Sequence, residues 1–221
     1  MEYKLTFLKG CPFVDYGEGL MLIDLGLPFS IADKGTIGFD GATKSVPRER
    51  GPINTPVLSD WFEQPVTGVI GGDILLGTPI KIDYKAGMLV THYDGPVGQK
   101  IGQTSMGYSI VELSIDGKRC RCFIDTGAQY SKILPRMVAG KTICASVEDC
   151  VWGDVGNRLN ESLYNTVFAC NGVEYEAGCA ALSPTDAVNV EQAGASGVIG
   201  KDFFDHHTIV IKGGTVYASN Y

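Results

Sequence analysis

The chain has 221 residues, enough for one domain or two small ones, and 44% of them are apolar, which excludes a disordered polymer. Its 18 basic and 25 acidic residues leave a formal charge of −7, which removes nucleic acid as an expected partner and offers no basic patch to a membrane surface. The 29 glycines and 10 prolines call for many tight turns, as β-rich architectures do.

In chain order, the opening MEYKLTFLKG has no continuous apolar core and no small-residue cleavage site. It does not read as a secretory signal, and a cytoplasmic protein is expected. YKLTFL (3–8) and GLMLID (19–24) read as strands bracketing a longer connection, the second running into Asp24-Leu25-Gly26. KGTIGFDGAT (34–43) is a Gly-rich hairpin or an ordinary surface turn, and SDWFEQ (59–64) is a short helix. GVIGGD (68–73) leads into LLGTPIKIDYKAGMLV, read as strand, Gly turn and strand. The polar, Gly-rich DGPVGQKIGQT (94–104) reads as a joining segment.

Beyond it, YSIVELSIDGKRCRCFID (108–125) alternates around Asp116-Gly117, a strong short hairpin signal, and ends at Asp125-Thr126-Gly127. SKILPRMVAG (131–140) is a second short helix, and TVFACNGVEYEAGCAAL (166–182) is a hairpin turning at Asn171-Gly172. GVIGKD (197–202) and a last strand pair, within FDHHTIVIKGGTVYAS (204–219), close the chain.

Two anchors in this sequence occur twice in the same order. LIDLGLPFS (22–30) returns as FIDTGAQYS (123–131), and GVIGGD returns as GVIGKD. The chain is therefore an internal duplication, divided into a first lobe at 1–96, a linker at 97–104 and a second lobe at 105–221. Each half reads strand, turn, strand, Asp-x-Gly, a variable middle, Gly-apolar-apolar-Gly and a closing hairpin.

Other signals are weaker. The seven cysteines contain no CxxC pair, and free, mostly buried thiols are expected. Neighbouring His206 and His207 point to opposite faces of a strand, so a solvated pair is expected rather than a metal site. GVIGGD lacks both GxGxxG and the P-loop lysine, so no nucleotide is expected there.

The order of anchors resembles the aspartic proteases, the pepsin and retropepsin clan. There each lobe supplies apolar-apolar-Asp-Thr/Ser-Gly-Ala/Ser and, later, an apolar-apolar-Gly segment that threads beside the Asp loop. FIDTGA (123–128) with VIG (198–200) matches both elements. LIDLGL matches in Asp24, Gly26 and the preceding apolar pair, with VIG at 69–71. The resemblance implies an all-β chain of two pseudo-symmetric retropepsin-like (acid-protease) lobes with an active-site cleft between them. It implies an aspartic endopeptidase in which Asp24 and Asp125 activate a water, supported by Gly26, Thr126, Gly127 and Ala128. No metal or cofactor is implied. The partner is a peptide or protein substrate, with no nucleic acid and no membrane, and the molecule is a monomer serving as its own pseudo-dimer.

Such a site needs one ionised and one protonated carboxyl, because two carboxylates about 3 Å apart cannot both ionise cheaply. In the resemblance, Thr126 bonds across to the opposite loop. Leu25, at the equivalent place, has no hydroxyl to return that bond. Pepsin-like flaps carry a Tyr, whereas residues 27–67 contain none. Gly38, Phe39 and Gly41 are the candidate flap, and its counterpart is VWGDVGN (151–157), where Trp152 covers the cleft or fills the core. The alternative reading is an impaired or inactive protease-fold protein that binds an extended peptide or partner in the cleft by strand addition. A third has the second lobe pairing with another chain.

Overall fold

The computed structural model describes residues 1–17, 19–150 and 158–221. The first half comprises β1 (Glu2–Leu8), β2 (Cys11–Asp15), β3 (Leu20–Ile23), β4 (Ile31–Ala32), β5 (Thr36–Phe39), β6 (Ala42–Ser45), β7 (Glu49–Arg50), β8 (Ile53–Asn54), α1 (Thr55–Phe62), β9 (Val66–Ile70), α2 (Gly72–Leu75), β10 (Ile80–Asp83) and β11 (Met88–Thr91). The second comprises β12 (Gln99–Ser105), β13 (Tyr108–Ile115), β14 (Lys118–Ile124), β15 (Lys132–Ile133), α3 (Pro135–Val138), β16 (Ile143–Cys150), β17 (Arg158–Cys170), β18 (Val173–Ala181), α4 (Pro184–Gln192), β19 (Gly197–Ile199), α5 (Lys201–Phe204), β20 (His207–Lys212) and β21 (Thr215–Asn220). The fold is all-β, with short helices at its corners. Among the described residues, no helix is long and apolar enough to cross a membrane.

Turn chemistry sets the local level. Asp116 and Gly117 both take positive φ, 49° and 75°, which is the turn that joins β13 to β14 in register Ile115↔Lys118. Lys9 and Gly10 do the same, at 47° and 80°, between β1 and β2. The connection expected to run from YKLTFL to GLMLID therefore contains a whole strand, β2. A lysine in a left-handed turn carries no sequence signal of the Asn-Gly kind. The segment expected as a linker, 97–104, is largely strand too: β12 pairs with β13 and β21, so the second half begins with it.

The two halves repeat one hydrogen-bond plan. β3 runs parallel to β9, with Ile23 opposite Ile70, and β14 runs parallel to β19, with Ile124 opposite Ile199. β4 and β15 flank those inner strands in matching antiparallel register, Ala32↔Gly68 and Ile133↔Gly197. Ser30 Oγ donates to Asp73 (2.6 Å) and accepts from Gly71 N (2.9 Å). Ser131 Oγ donates to Asp202 (2.6 Å) and accepts from Gly200 N (3.0 Å).

The halves meet in one antiparallel sheet of order β1–β11–β10–β20–β21–β12. Its central seam pairs Ile80↔Ile211, Lys81↔Val210 and Ile82↔Ile209. The main apolar core lies against this sheet and draws on both halves, from Leu5 and Ile23 to Phe204 and Ile211. A second core, Phe13, Leu22, Ile31, Leu58, Trp61, Phe62 and Val69 among others, fills the space under α1. Its counterpart under α4 is smaller, comprising Leu134, Leu182, Ala187, Val190 and Ala195.

All seven cysteines are free; six are buried and Cys144 is exposed. His207 corrects an expectation. It is fully buried, with Nδ1 3.1 Å from Asn220 Oδ1, while His206 stacks on Tyr175. The closing strand β20 is central in the sheet, so both its faces are covered.

Ser131→Ala should cost about 1–3 kcal/mol, because it strips the partner from Asp202, whose buried carboxyl is already raised above its usual range by desolvation. Urea unfolding of this variant beside Ser30→Ala checks it, and both should destabilise.

Candidate active site

Each Asp turn grows out of the end of a buried parallel strand pair. Asp24 N donates to Ile70 O (3.0 Å), and Asp125 N donates to Ile199 O (2.9 Å). Each carboxylate then turns back on its own loop. Asp24 Oδ1 accepts from the amides of Gly26 (2.7 Å) and Leu27 (3.1 Å), and Asp125 Oδ1 accepts from Gly127 N (2.8 Å). The loops face each other so closely that a Cβ on Gly127 would stand 2.6 Å from Asp24 Oδ2, and one on Gly26 would overlap the Asp125 carboxyl. Glycine is required at both positions for that approach. Ala128 follows in the second loop; its carbonyl accepts from Lys201 N (3.0 Å), as that of Leu27 accepts from Gly72 N (2.7 Å).

The two carboxyls face each other closely enough to perturb one another's protonation. Burial, then the charge of Asp125, push Asp24 well above the usual carboxylate range, against the pull of the Gly26 and Leu27 amides. Burial also raises Asp125. The Asp24 carboxyl, the amides of Gly127 and Ala128, and the positive charge of Lys132 all pull it down. Both carboxyls are nonetheless raised, and the two titrate as one coupled pair.

Three groups lock one loop to the other. Thr126 Oγ1, fully buried, accepts from Leu25 N (2.9 Å) and donates to Ile23 O (2.7 Å), crossing from the second half to the first. Leu25 returns nothing of the kind; its side chain is sealed in the main core. Two first-half groups hold the Asp125 loop instead. Tyr84 Oη donates to Thr126 O (3.3 Å), and the Cys11 thiol donates to Gly127 O (3.1 Å). Burial, then the charges of Asp125 and Asp24, drive the Cys11 thiol well above its usual range, so it stays a neutral donor.

Asp125 opens into a cavity of about 410 Å³ lined from both halves, by Cys11 and Trp61 on one side and Phe123, Lys132, Leu182 and Val190 on the other. At its wall Lys132 Nζ lies 2.9 Å from Asp149 and 2.8 Å from Glu161. Burial lowers the Lys132 pKa, but these two carboxylates outweigh it and hold the ammonium protonated.

The hairpin β16–β17 of the second half reaches over to the first. Cys150, at the end of β16, packs in the core with Trp61, and the Arg158 guanidinium lies 5.9 Å from the Trp61 ring centroid. The candidate flap of the first half does not cover the cavity. Phe39 is buried and stacks on Tyr3 at 5.1 Å, Asp40 N donates to Tyr3 Oη, and Asp40 pairs with His92 at 2.6 Å. Gly38, Phe39 and Gly41 thus belong to a hairpin whose tip is fastened to β1 and the end of β11, because Phe39 finds an apolar partner there. Trp152 and the rest of 151–157 lie outside the described residues.

Sequence reasoning brought Asp24, Asp125, Gly26, Thr126, Gly127 and Ala128 to one place, and missed Cys11, Tyr84, Lys132 and Asp149. Lys132 had a usable signal: it stands where the first copy of the repeat has Ile31. Tyr84 and Cys11 had none, since their partners are backbone carbonyls distant in the chain. Compared with known proteins, the chain matches no family model, and no curated protein matches it.

Thr126→Val keeps the shape of the side chain and removes both cross-loop bonds, leaving Leu25 N and Ile23 O without this partner. A loss of about 1–3 kcal/mol is expected in denaturant unfolding. Tyr84→Phe, which removes one longer bond, should lose about 0.5–1.5 kcal/mol.

Proposed function

We propose that the chain is an aspartic peptidase made of two retropepsin-like lobes in one polypeptide, with Asp24 and Asp125 as its dyad. The observation that carries this reading is the pair of closely facing carboxyls, one from each copy of the repeat, meeting beside a cavity lined from both halves. The mirrored Ser–Asp and strand-pairing plan of the two halves supports the lobed description.

In this mechanism a water sits between the carboxyls. Asp125 takes a proton from it as the water oxygen attacks the peptide carbonyl carbon, and Asp24 gives its proton to the carbonyl oxygen. The resulting diol collapses when the proton held by Asp125 passes to the amide nitrogen and the C–N bond breaks. A diol hydroxyl returns a proton to Asp24. Burial by the surrounding core strengthens each of these interactions.

Turnover requires the pair to hold one proton. Both carboxyls are raised, so the pair keeps that proton at higher pH than two free carboxyls would, and both limbs of the pH–rate profile should lie above the ordinary carboxylate range near about 4. Stability follows with a definite sign. The folded state binds more protons than the unfolded chain between the unfolded pKa and the raised folded ones, so stability falls as pH rises through that window. Asp24→Asn should therefore abolish turnover and raise Tm at pH 7, read by calorimetry on both proteins.

The direct test is turnover of a diverse peptide mixture from about pH 3 to pH 7, read by mass spectrometry. Wild type would be run beside Asp125→Asn and Leu25→Thr. Cleavage that falls by at least about 100-fold in Asp125→Asn supports the peptidase. A second reading, peptide binding without turnover, is favoured by the missing hydroxyl at Leu25. Silence from the wild type with activity in Leu25→Thr would select it for the natural chain. Silence from all three would remove the catalytic reading altogether.

A further inference from the structure

The cavity beside Asp125 is lined mainly by the second half, where the two copies of the repeat differ. Where the first copy has Leu27, Pro28 and Ile31, the second has Ala128, Gln129 and Lys132. In the first half Leu22 and Val69 are fully buried in a filled core; their equivalents, Phe123 and Val198, are half-buried and face the cavity. The second half has exchanged core for a lined space.

The polar part of that lining is rich in acceptors. Gln129 Nε2 donates to Tyr130, leaving Gln129 Oε1 buried without a partner. Asp149 is nearly buried at the wall, and Asp186 stands on α4 at the rim, its Oδ2 accepting from Ser183. Lys132 is the one cation on the described wall, and Asp149 and Glu161 both hold its ammonium. The lining residues include three carboxyl groups, Asp125, Asp149 and Asp186, and one lysine. The remaining wall, from Phe123, Leu182 and Val190, is apolar.

We infer that this cavity selects a basic substrate side chain, lysine or arginine, close to the scissile bond. The aliphatic stem lies along Phe123, Leu182 and Val190, and the cationic end reaches Gln129 Oε1 and Asp186. A buried acceptor with no partner penalises any side chain that cannot donate to it, so an apolar side chain of the same length leaves the site unsatisfied. This inference rests on the peptidase reading for its substrate, but the cavity's preference can be measured without turnover.

The test compares peptides differing only in lysine, arginine, norleucine or glutamate at each position near the cleavage point. Kinetics would be measured for wild type, Gln129→Leu and Asp186→Asn; the last keeps the helix cap. Expected is a preference of at least about tenfold in kcat/KM for lysine or arginine over norleucine, at a position on one side of the bond. It should shrink in both variants, while turnover of the norleucine peptide is retained. Cleavage with no basic preference, or with norleucine preferred, overturns the inference and leaves the peptidase standing. If the wild type cleaves nothing, the same labelled peptides are titrated into it by fluorescence anisotropy. Tighter binding of the basic peptides, lost in Gln129→Leu, then upholds the cavity assignment and sinks the peptidase. Equal binding of all four sinks the cavity assignment as well.

Discussion

Two carboxyls held face to face in an apolar interior repel as soon as both ionise, and the rest of this molecule is arranged around that constraint. Glycine at 26 and 127 lets the loops approach, and the amides of those loops stabilise the charge that does form. Behind the loops, the parallel strand pairs β3–β9 and β14–β19 keep the carboxyls from backing away. The cost of crowding is borne by the seam β10–β20 and by the core against it, which join the halves independently of the site. Local strain at a functional point is tolerated when the surrounding structure over-determines it.

The hydrogen bonds around the dyad are unequal in a way the duplication alone would not produce. Thr126 reaches into the first loop; nothing equivalent returns from Leu25, and Tyr84 and Cys11 reach the second loop from other directions. Lys132 adds a charge on one side only. A pair of chemically identical groups thereby sits in two different environments. The repeat supplies the meeting of the carboxyls, and departures from symmetry give each a different set of partners.

Much of this was legible because it depends on local sequence. Asp116-Gly117 and Asn171-Gly172 announced their turns through residues that tolerate positive φ, and the duplicated Asp and VIG anchors announced the strand pairs beside them. Where the turn residue was Lys9, β2 was lost from view, and where polar and glycine residues filled a strand, β12 read as a linker. The hairpin around Phe39 shows a different dependence. Phe39 looked like a loop-tip aromatic, but its fate was decided by Tyr3, thirty-six positions away, which offered it a stacking surface. Contacts of that kind are tertiary, and no window along the chain contains both partners.

The seam between β10 and β20 pairs isoleucines across an approximate two-fold axis, as an isologous contact between identical subunits would. Two separate copies of one half could be joined in the same way, but every change in such an assembly would be made twice. A leucine at the position after the aspartate would then appear on both loops, and no threonine would remain to cross between them. Covalent linkage removes that doubling. With the halves on one chain, the first can carry a filled interior and a leucine while the second carries a lined space and a threonine. The single connection through residues 92–98 is thus what makes an unequal pair heritable.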